Sequence, residues 1–209
     1  MGSINHPTPA LKYAFKQMKN IPNLTPSIIQ EKLARYQRQS IVKSALTKSA
    51  VLIPIVKTKN GMELLFTKRS ESVEHHQGQI SFPGGATEVA DRSHADTALR
   101  ESFEEIGIEQ SAISILGVMD DLQTPSGFVV TPVVGFIQEL PPLHINPKEV
   151  AQVILVPLEK FFDDSLRHST MRERDGVIWE VFSYEVWKEP VWGATAFFVK
   201  HLIDLLKES

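Results

Sequence analysis

Residues 82–108 read FPGGATEVADRSHADTALRESFEEIGI and combine a glycine-containing loop with an amphipathic helix. At 3.6 residues per turn, two neighbouring faces of that helix differ in character. The first is a stripe of small and apolar side chains, which predicts packing: Ala95, Ala98, Leu99, Ser102, Phe103 and Ile106. The adjoining face carries Glu101, Glu104 and Glu105. We therefore expect a helix that packs along one face and holds three carboxylates on the next.

The sequence also indicates where this helix begins and ends. Ser93 or Asp91 can cap its N-terminus, and Asp96 suits the first turn. Gly107 can adopt the left-handed conformation that stops a helix.

The three glutamates destabilise the helix, because like charges at these spacings repel by roughly 0.2–0.5 kcal/mol per pair on a solvated helix. Binding of Mg²⁺ or Mn²⁺ would offset that cost, since hard divalent cations take several oxygen ligands. Arg100 precedes Glu104 by one turn and can hold its carboxylate in place. The alternative is a solvated acidic face, which the E-x-x-E-E spacing alone does not exclude.

The loop before the helix, Phe82-Pro83-Gly84-Gly85, closes a predicted strand. Glycine has no Cβ, so the main chain can approach a ligand or a neighbouring group closely there. The loop is expected to lie beside whatever binds above the carboxylates.

Together these residues resemble the Nudix box, the signature of hydrolases that act on nucleoside diphosphates linked to another group. The match comprises Gly85, Arg100-Glu101, Glu104-Glu105, Gly107 and Ile108. Asp91 stands where the pattern has glutamate, and the spacing from there to Arg100 is one residue longer. Both departures resemble the coenzyme A pyrophosphatase branch of the family.

An upstream block is similar to the same branch. Residues 64–85 read LLFTKRSESVEHHQGQISFPGG, with these positions in register: Thr67, Arg69, Ser70, His76, Gly78, Phe82, Pro83, Gly84 and Gly85. Glu74 stands where the block usually has arginine. A carboxylate there would repel a phosphate that an arginine would bind.

The resemblance implies an α/β fold, the Nudix-type α/β/α sandwich with a mixed β-sheet. It also implies hydrolysis of a pyrophosphate bond with Mg²⁺ or Mn²⁺, in coenzyme A or acyl-CoA for this branch, giving 3′,5′-ADP and (acyl-)4′-phosphopantetheine. Carried over by position, the metal ligands are Glu101, Glu104 and Glu105, and the catalytic residues are Glu104, Glu149 and Arg100. The substrate-binding residues are Arg69, Lys68, His76, Gly84 and Gly85.

Several of these residues have a simpler interpretation. Glu149, the candidate general base, follows Asn146-Pro147 and could be a surface glutamate opening a strand. Lys68 and Arg69 could be solvated charges at a strand end. His75 and His76 have no third ligand nearby at a suitable spacing, so a contact with substrate phosphate is favoured over metal binding.

Composition narrows the partners of the chain. With 209 residues, of which 42% are hydrophobic, it can form a complete core. The net charge of −3 and the scattered basic residues give no electrostatic reason to expect a nucleic-acid partner, and the resemblance implies a small-molecule nucleotide as substrate. No apolar run is long enough to span a membrane. The absence of cysteine is compatible with a cytoplasmic location.

Along the chain, residues 1–48 read as a helical extension, with helices over 10–19 and 26–39 that either pack on the domain or form a homodimer contact. The second helix is predicted to be capped by Thr25 with Pro26 at its first position. Residues 49–209 read as the Nudix hydrolase domain. Its predicted strands include two joined by Asn60-Gly61, a strong hairpin signal, and a final helix runs to about Lys207.

The aromatic residues Trp179, Trp187 and Tyr184 could stack an adenine, but aromatics on strands more often pack, so none is assigned to the site. Two other functions stay open. A Nudix pyrophosphatase could act on ADP-ribose or another nucleoside diphosphate derivative, which Glu74 keeps open. A non-catalytic nucleotide sensor is disfavoured because the carboxylates are intact.

Overall fold

The computed structural model describes residues 24–43, 45–71, 77–174 and 176–208, apart from the side chains of Arg174 and Val177. The helix predicted over 10–19 lies outside these residues, and so does the segment 72–76 with Glu74, His75 and His76. Among the described helices, none is long and apolar enough to cross a membrane.

The larger sheet of the described chain is mixed. Its strands are β1 Thr47–Thr58, β2 Gly61–Arg69, β3 Ile80–Ser81, β4 Gly84–Ala86, β5 Ser114–Val118, β6 Leu122–Gln123, β7 Phe128–Ile137 and β8 Val150–Pro157. They follow the order β3-β2-β1-β7-β5, with β4 also beside β1, β6 beside β7 and β8 beside β2. β1 and β7 run parallel, and the other pairs are antiparallel. The Asn60-Gly61 turn joins β1 to β2 as predicted, and Gly61 has a φ of 109°.

Helices cover both faces of this sheet: α1 is Pro26–Arg35, α2 is His94–Ile106 and α3 is Gly193–Lys207. Successive side chains of β1 point to opposite faces. Leu52 joins the buried cluster that contains Ala98 of α2, whereas Ile53 joins the cluster that contains Ile29 of α1 and Leu202 of α3. The predicted α/β/α arrangement is therefore confirmed.

A second sheet consists of β9 Arg167–Arg174, β10 Val177–Tyr184 and β11 Val191–Trp192, in the antiparallel order β11-β10-β9. The residues of β10, VIWEVFSY, form an apolar and aromatic run typical of a strand, whereas those of β9, RHSTMRER, lack an apolar alternation. Tyr184 is fully buried and packs edge-on against Phe161 at 5.2 Å between ring centroids. This contact fixes the base of the second sheet to the main core.

Helix α1 packs on the same core. The Thr25 hydroxyl accepts a hydrogen bond from the Ile28 N–H at 3.2 Å, and Pro26 is the first helical residue, as predicted. Burial of Ile29 and Leu33 contributes roughly 1.5–3 kcal/mol each. The helix ends at Arg35 rather than near residue 39, because the following segment turns away to bond with the loop before β6, where the Gln39 N–H donates to an Asp120 oxygen at 2.6 Å.

Candidate active site

Helix α2 holds its three glutamates at different depths. Glu105 is buried, with 3% of its surface exposed; Glu101 is half-buried, and Glu104 is exposed. Phe103, which the helical pattern placed on the packed stripe, is 48% exposed, so that part of the prediction was wrong. The helix is rotated so that Glu105, rather than Phe103, faces the loop that contains Gly84 and Gly85.

The ends of α2 match the predicted residues, with one choice resolved. Ser93 is the N-cap: its hydroxyl accepts a hydrogen bond from the Asp96 N–H at 3.2 Å. Gly107 ends the helix in the left-handed conformation, with a φ of 74°. Asp91 is not the cap and is available for another contact.

Arg100 links the carboxylates of the site. Its Nε and Nη2 donate to the two oxygens of Asp91 at 3.2 and 3.1 Å. Its Nη1 donates to Glu101 at 2.9 Å and to Glu104 at 3.0 Å, and its Nη2 donates to the Ala86 carbonyl at 2.9 Å. One guanidinium thus orients two of the candidate metal ligands and joins them to the preceding loop.

Asp91 is an almost fully enclosed carboxylate. In addition to Arg100, the Thr97 hydroxyl and the Glu88 N–H each donate to it at 2.9 Å. These bonds, chiefly those from Arg100, lower the pKa of Asp91 to about 2 despite its burial. The aspartate in the motif's glutamate position therefore still provides a permanent negative charge for Arg100.

The glycine loop lies directly against α2 and β1. A Cβ on Gly85 would stand 2.4 Å from a Glu101 carboxylate oxygen, and a Cβ on Gly84 would stand 2.4 Å from the Ala50 carbonyl oxygen. Strand β4 pairs here with β1, matching Gly84 with Val51. At Gly84 a side chain would clash with the backbone of β1, and at Gly85 it would displace the Glu101 carboxylate.

Electrostatics confirm that the carboxylates crowd one another. Burial is the main cause that raises the pKa of Glu105 to about 8. The negative charges of Glu101 and Glu149 add to this rise, and the positive charge of Arg69 opposes it. Burial is also the main cause that raises the pKa of Glu101. Among the described residues, neither Glu105 Oε2 nor Arg69 Nε has a hydrogen-bond partner, although both atoms are buried.

Glu149 lies on a loop attached to the end of α2. The Asn146 side chain donates to a Glu149 oxygen at 2.8 Å. Upstream, the His144 N–H donates to the Ile106 carbonyl at 3.0 Å, and the Asn146 N–H donates to the Glu105 carbonyl at 2.9 Å. The loop thereby satisfies two helix-terminal carbonyls and holds Glu149 near the α2 carboxylates.

The two basic residues at the end of β2 diverge. A bulge between Lys68 and Arg69 shifts the pairing with β8, and such irregularities redirect side chains. Arg69 lines the cavity beside the glycine loop, whereas Lys68 forms an ion pair with Glu189 at 2.6 Å. His76, the other basic candidate, is in the undescribed segment.

A cavity of about 890 Å³ opens between the main sheet, the second sheet and the start of α3. Arg69, Gly84 and Gly85 form its end next to the carboxylates. The remaining wall includes side chains that the sequence analysis did not assign: Phe128, Arg172, Trp179, Trp192 and Phe197. Of the aromatics considered there, Tyr184 is core and Trp187 packs against the core, while Trp179 reaches the cavity. The alternation of side chains along β10 is the only sequence pattern that bears on Trp179, and it does not show which face of the strand lines the cavity.

Carboxylates of this kind suit a hard divalent cation. The orphaned Glu105 oxygen and the raised pKa values of Glu101 and Glu105 both indicate that the ionised carboxylates are unfavourable in the free protein, and a bound cation would stabilise them. Within the described ranges no three His, Cys, Asp or Glu side chains converge as a finished metal site. Arg100 holds oxygens of Glu101 and Glu104, so these side chains would have to turn in order to coordinate an ion.

Comparison with known proteins agrees with this arrangement. A family profile described as NUDIX domain matches residues 46–175. The uncharacterized Nudix hydrolase NudL from Yersinia pestis is 37% identical over 155 residues, which cover 74% of this chain and 77% of NudL.

Solved structures also resemble the chain. The Nudix hydrolase RenU from M. smegmatis has a TM-score of 0.47 and 18% identity, covering 55% of this chain and 72% of RenU. The NUDIX domain of NrtR from Shewanella oneidensis, crystallised with ADP ribose, has a TM-score of 0.44 and 20% identity, covering 65% of this chain and 84% of that domain. Since the profile spans more than half of the chain and NudL aligns with about three quarters of it, this protein belongs to the Nudix family of hydrolases, which cleave pyrophosphate bonds.

Proposed function

We propose that this Nudix hydrolase cleaves the pyrophosphate bond of coenzyme A or acyl-CoA, releasing 3′,5′-ADP and (acyl-)4′-phosphopantetheine. The observation that carries the proposal is the sequence block over residues 64–85, which resembles coenzyme A pyrophosphatases. Its described members Arg69, Gly84 and Gly85 line a cavity of about 890 Å³ next to the carboxylates of α2. That volume is within the usual range of small-molecule sites, roughly 300–1,000 Å³.

Each side chain has a role in this proposal. Glu101, Glu104 and Glu105 would hold Mg²⁺ or Mn²⁺, which would supply neutralisation of diphosphate charge and a lowered pKa of the attacking water. Arg100 fixes Glu101 and Glu104 relative to the loop before ligands arrive. Arg69 contributes positive charge at the cavity end where the diphosphate would lie.

Glu149 is the proposed general base. It is half-buried, and its charge raises the pKa of both Glu101 and Glu105, so it faces the same region as they do. Asn146 orients one of its oxygens. Glu149 would accept the proton of the water that attacks phosphorus, and the bond from that phosphorus to the bridging oxygen would break as the new bond forms. No covalent intermediate is involved.

The test is hydrolysis of CoA with Mg²⁺ or Mn²⁺, with ADP-ribose and a dinucleoside polyphosphate in parallel and chromatographic separation of the products. We expect 3′,5′-ADP from CoA in preference to the other products. Preferential cleavage of ADP-ribose would reject CoA and point to the effect of Glu74, and no cleavage of any substrate would favour the sensor function.

Variants then examine the roles. Glu149→Gln should lower kcat by a factor of about 10²–10⁴, which is the usual contribution of general base catalysis. Glu104→Gln should also lose activity, and near wild-type turnover would mean that the metal ligands are misassigned. Glu139→Gln, at an exposed position outside the site, is the matched control and should be neutral.

A further inference from the structure

The second sheet turns one of its faces toward the cavity. In the register of β9, β10 and β11, Trp179 is opposite Arg172, and Ser183 is opposite Trp192. Side chains alternate between the faces of a strand, so Trp192, Val181, Trp179 and Arg172 share one face. All four line the cavity.

Arg172 is an exposed cation on this face. Two other basic residues near the second sheet have carboxylate partners: Arg167 pairs with Asp164 at 3.4 Å, and Lys68 pairs with Glu189. Within the part of the chain that the structure describes, no carboxylate pairs with Arg172. Glu173 and Glu180 also border the cavity, but alternation directs their side chains to the face opposite that of Arg172 and Trp179.

Arg172 and Trp179 together form a mixed recognition surface. Directly opposed residues on one face of an antiparallel pair have Cβ atoms about 4.5–5.5 Å apart. An indole and a guanidinium at that separation can contact one ligand that combines a flat ring with an anionic group. An aromatic side chain can stack any nucleobase, whereas a guanidinium binds phosphate or carboxylate groups selectively.

A second arginine marks the other anionic position. Arg69 lines the same cavity, beside the glycine loop and the carboxylates. The two arginines come from different sheets and therefore favour a ligand with two separate phosphate groups and an aromatic ring. Adenosine carrying a 5′-diphosphate and a 3′-phosphate has this chemistry, and ADP-ribose lacks the 3′-phosphate.

We propose that Arg172 and Trp179 form a subsite for 3′-phosphoadenosine, in which Trp179 stacks the adenine and Arg172 binds the 3′-phosphate. This inference deepens the proposed function and rests on it. Arg172 then determines specificity: it separates 3′-phosphorylated nucleotides from others and takes no part in the bond cleavage itself.

Equilibrium binding of the bare nucleotides tests the subsite independently of turnover. The probes are adenosine 3′,5′-bisphosphate and AMP, which differ only in the 3′-phosphate, titrated calorimetrically into the whole protein. Wild type should bind the bisphosphate about tenfold more tightly than AMP, as expected for one charge-assisted contact near the surface. Arg172→Gln should abolish that preference, and Trp179→Leu should lower the affinity for both probes by the same factor.

Arg35→Gln is the charge-matched control, because Arg35 is an exposed α1 residue paired only with Glu31 among the described ion pairs. It should keep the wild-type preference. Equal affinity of wild type for the two probes, or an unchanged preference in Arg172→Gln, would overturn the subsite even if CoA is hydrolysed.

Turnover separates the subsite from the proposed function. With CoA and dephospho-CoA as substrates, Arg172→Gln should lower kcat/KM about tenfold for CoA and leave dephospho-CoA unchanged. An equal loss of kcat/KM for both substrates would refute the 3′-phosphate contact but would not contradict the proposed hydrolase function. If wild type binds the bisphosphate selectively but leaves CoA uncleaved, the subsite stands and the proposed substrate fails.

Discussion

Glu105→Gln should make the metal-free protein more stable at neutral pH. The pKa of Glu105 is raised from 4.5 to about 8 in the folded state, mainly by burial. A raised carboxyl pKa means that the folded state holds its proton more tightly than the unfolded state does. The stabilisation that the folded state gains from this bound proton is fully present below pH 4.5 and is lost as the pH rises to about 8.

The magnitude follows from the titration interval. Between pH 4.5 and pH 7 the pH rises by about 2.5 units, each worth about 1.4 kcal/mol, so wild type loses about 3 kcal/mol through this one group. Glutamine remains neutral and avoids the loss. For a chain of this size, that difference corresponds to a Tm about 6–12 °C higher for Glu105→Gln at pH 7.

The assay is thermal and urea unfolding in the presence of a chelator at pH 4.5, 6 and 7, with Glu139→Gln as an exposed control. The advantage of Glu105→Gln should be near zero at pH 4.5 and should grow with pH. Adding Mg²⁺ should stabilise wild type more than Glu105→Gln, since the variant has lost one of the three proposed carboxylate ligands. A variant no more stable than wild type at pH 7 without metal would refute the description of Glu105 as buried and uncompensated.

Three further predictions concern residues around the site. Arg100→Met should reduce kcat at least tenfold while Arg100→Lys recovers only part of it, because lysine cannot span the same carboxylates; equal activity of both with wild type in steady-state assays would contradict this. Gly85→Ala should displace the Glu101 carboxylate and lower kcat at least tenfold with little change in Tm, since the clash is with a side-chain end; an active Gly85→Ala enzyme would show that Glu101 need not stay there. Asp121→Ala should cost about 3 kcal/mol in urea unfolding, because three partly buried hydrogen bonds are lost, which Asp121 accepts from Arg38, from Thr131 and from the Ile41 N–H. A loss below about 1 kcal/mol would mean that the segment after α1 contributes little to stability.

The sequence was most informative where local chemistry and packing require the same residues. The helix α2 follows from its periodicity and from Ser93 and Gly107, which can be recognised without tertiary contacts. The hairpin at Asn60-Gly61 is equally local. These elements were predicted correctly because the interactions that form them lie within a few residues.

Other features depend on distant parts of the chain. The exposure of Phe103 and the burial of Glu105 depend on where the glycine loop meets α2, which helical periodicity does not contain. The ion pair between Lys68 and Glu189 joins residues far apart in sequence. Strand β9 is held by its pairing with β10, and its own residues show no strand pattern. The cavity wall that carries Arg172 was therefore beyond sequence reasoning.

The attachment of the Glu149 loop to α2 has a consequence for changes in chain length. His144 and Asn146 are hydrogen-bonded to the last turn of α2. The position of Glu149 is therefore determined by the end of this helix and not by the end of β7. Residues inserted at 138–139, before Leu140 and Leu143 pack against the core, would extend a connection whose two ends stay fixed, at a small entropic cost. A single residue inserted between Asn146 and Glu149 would instead move the carboxylate out of register with the site. This loop should accordingly tolerate length variation on one side of His144 and reject it on the other.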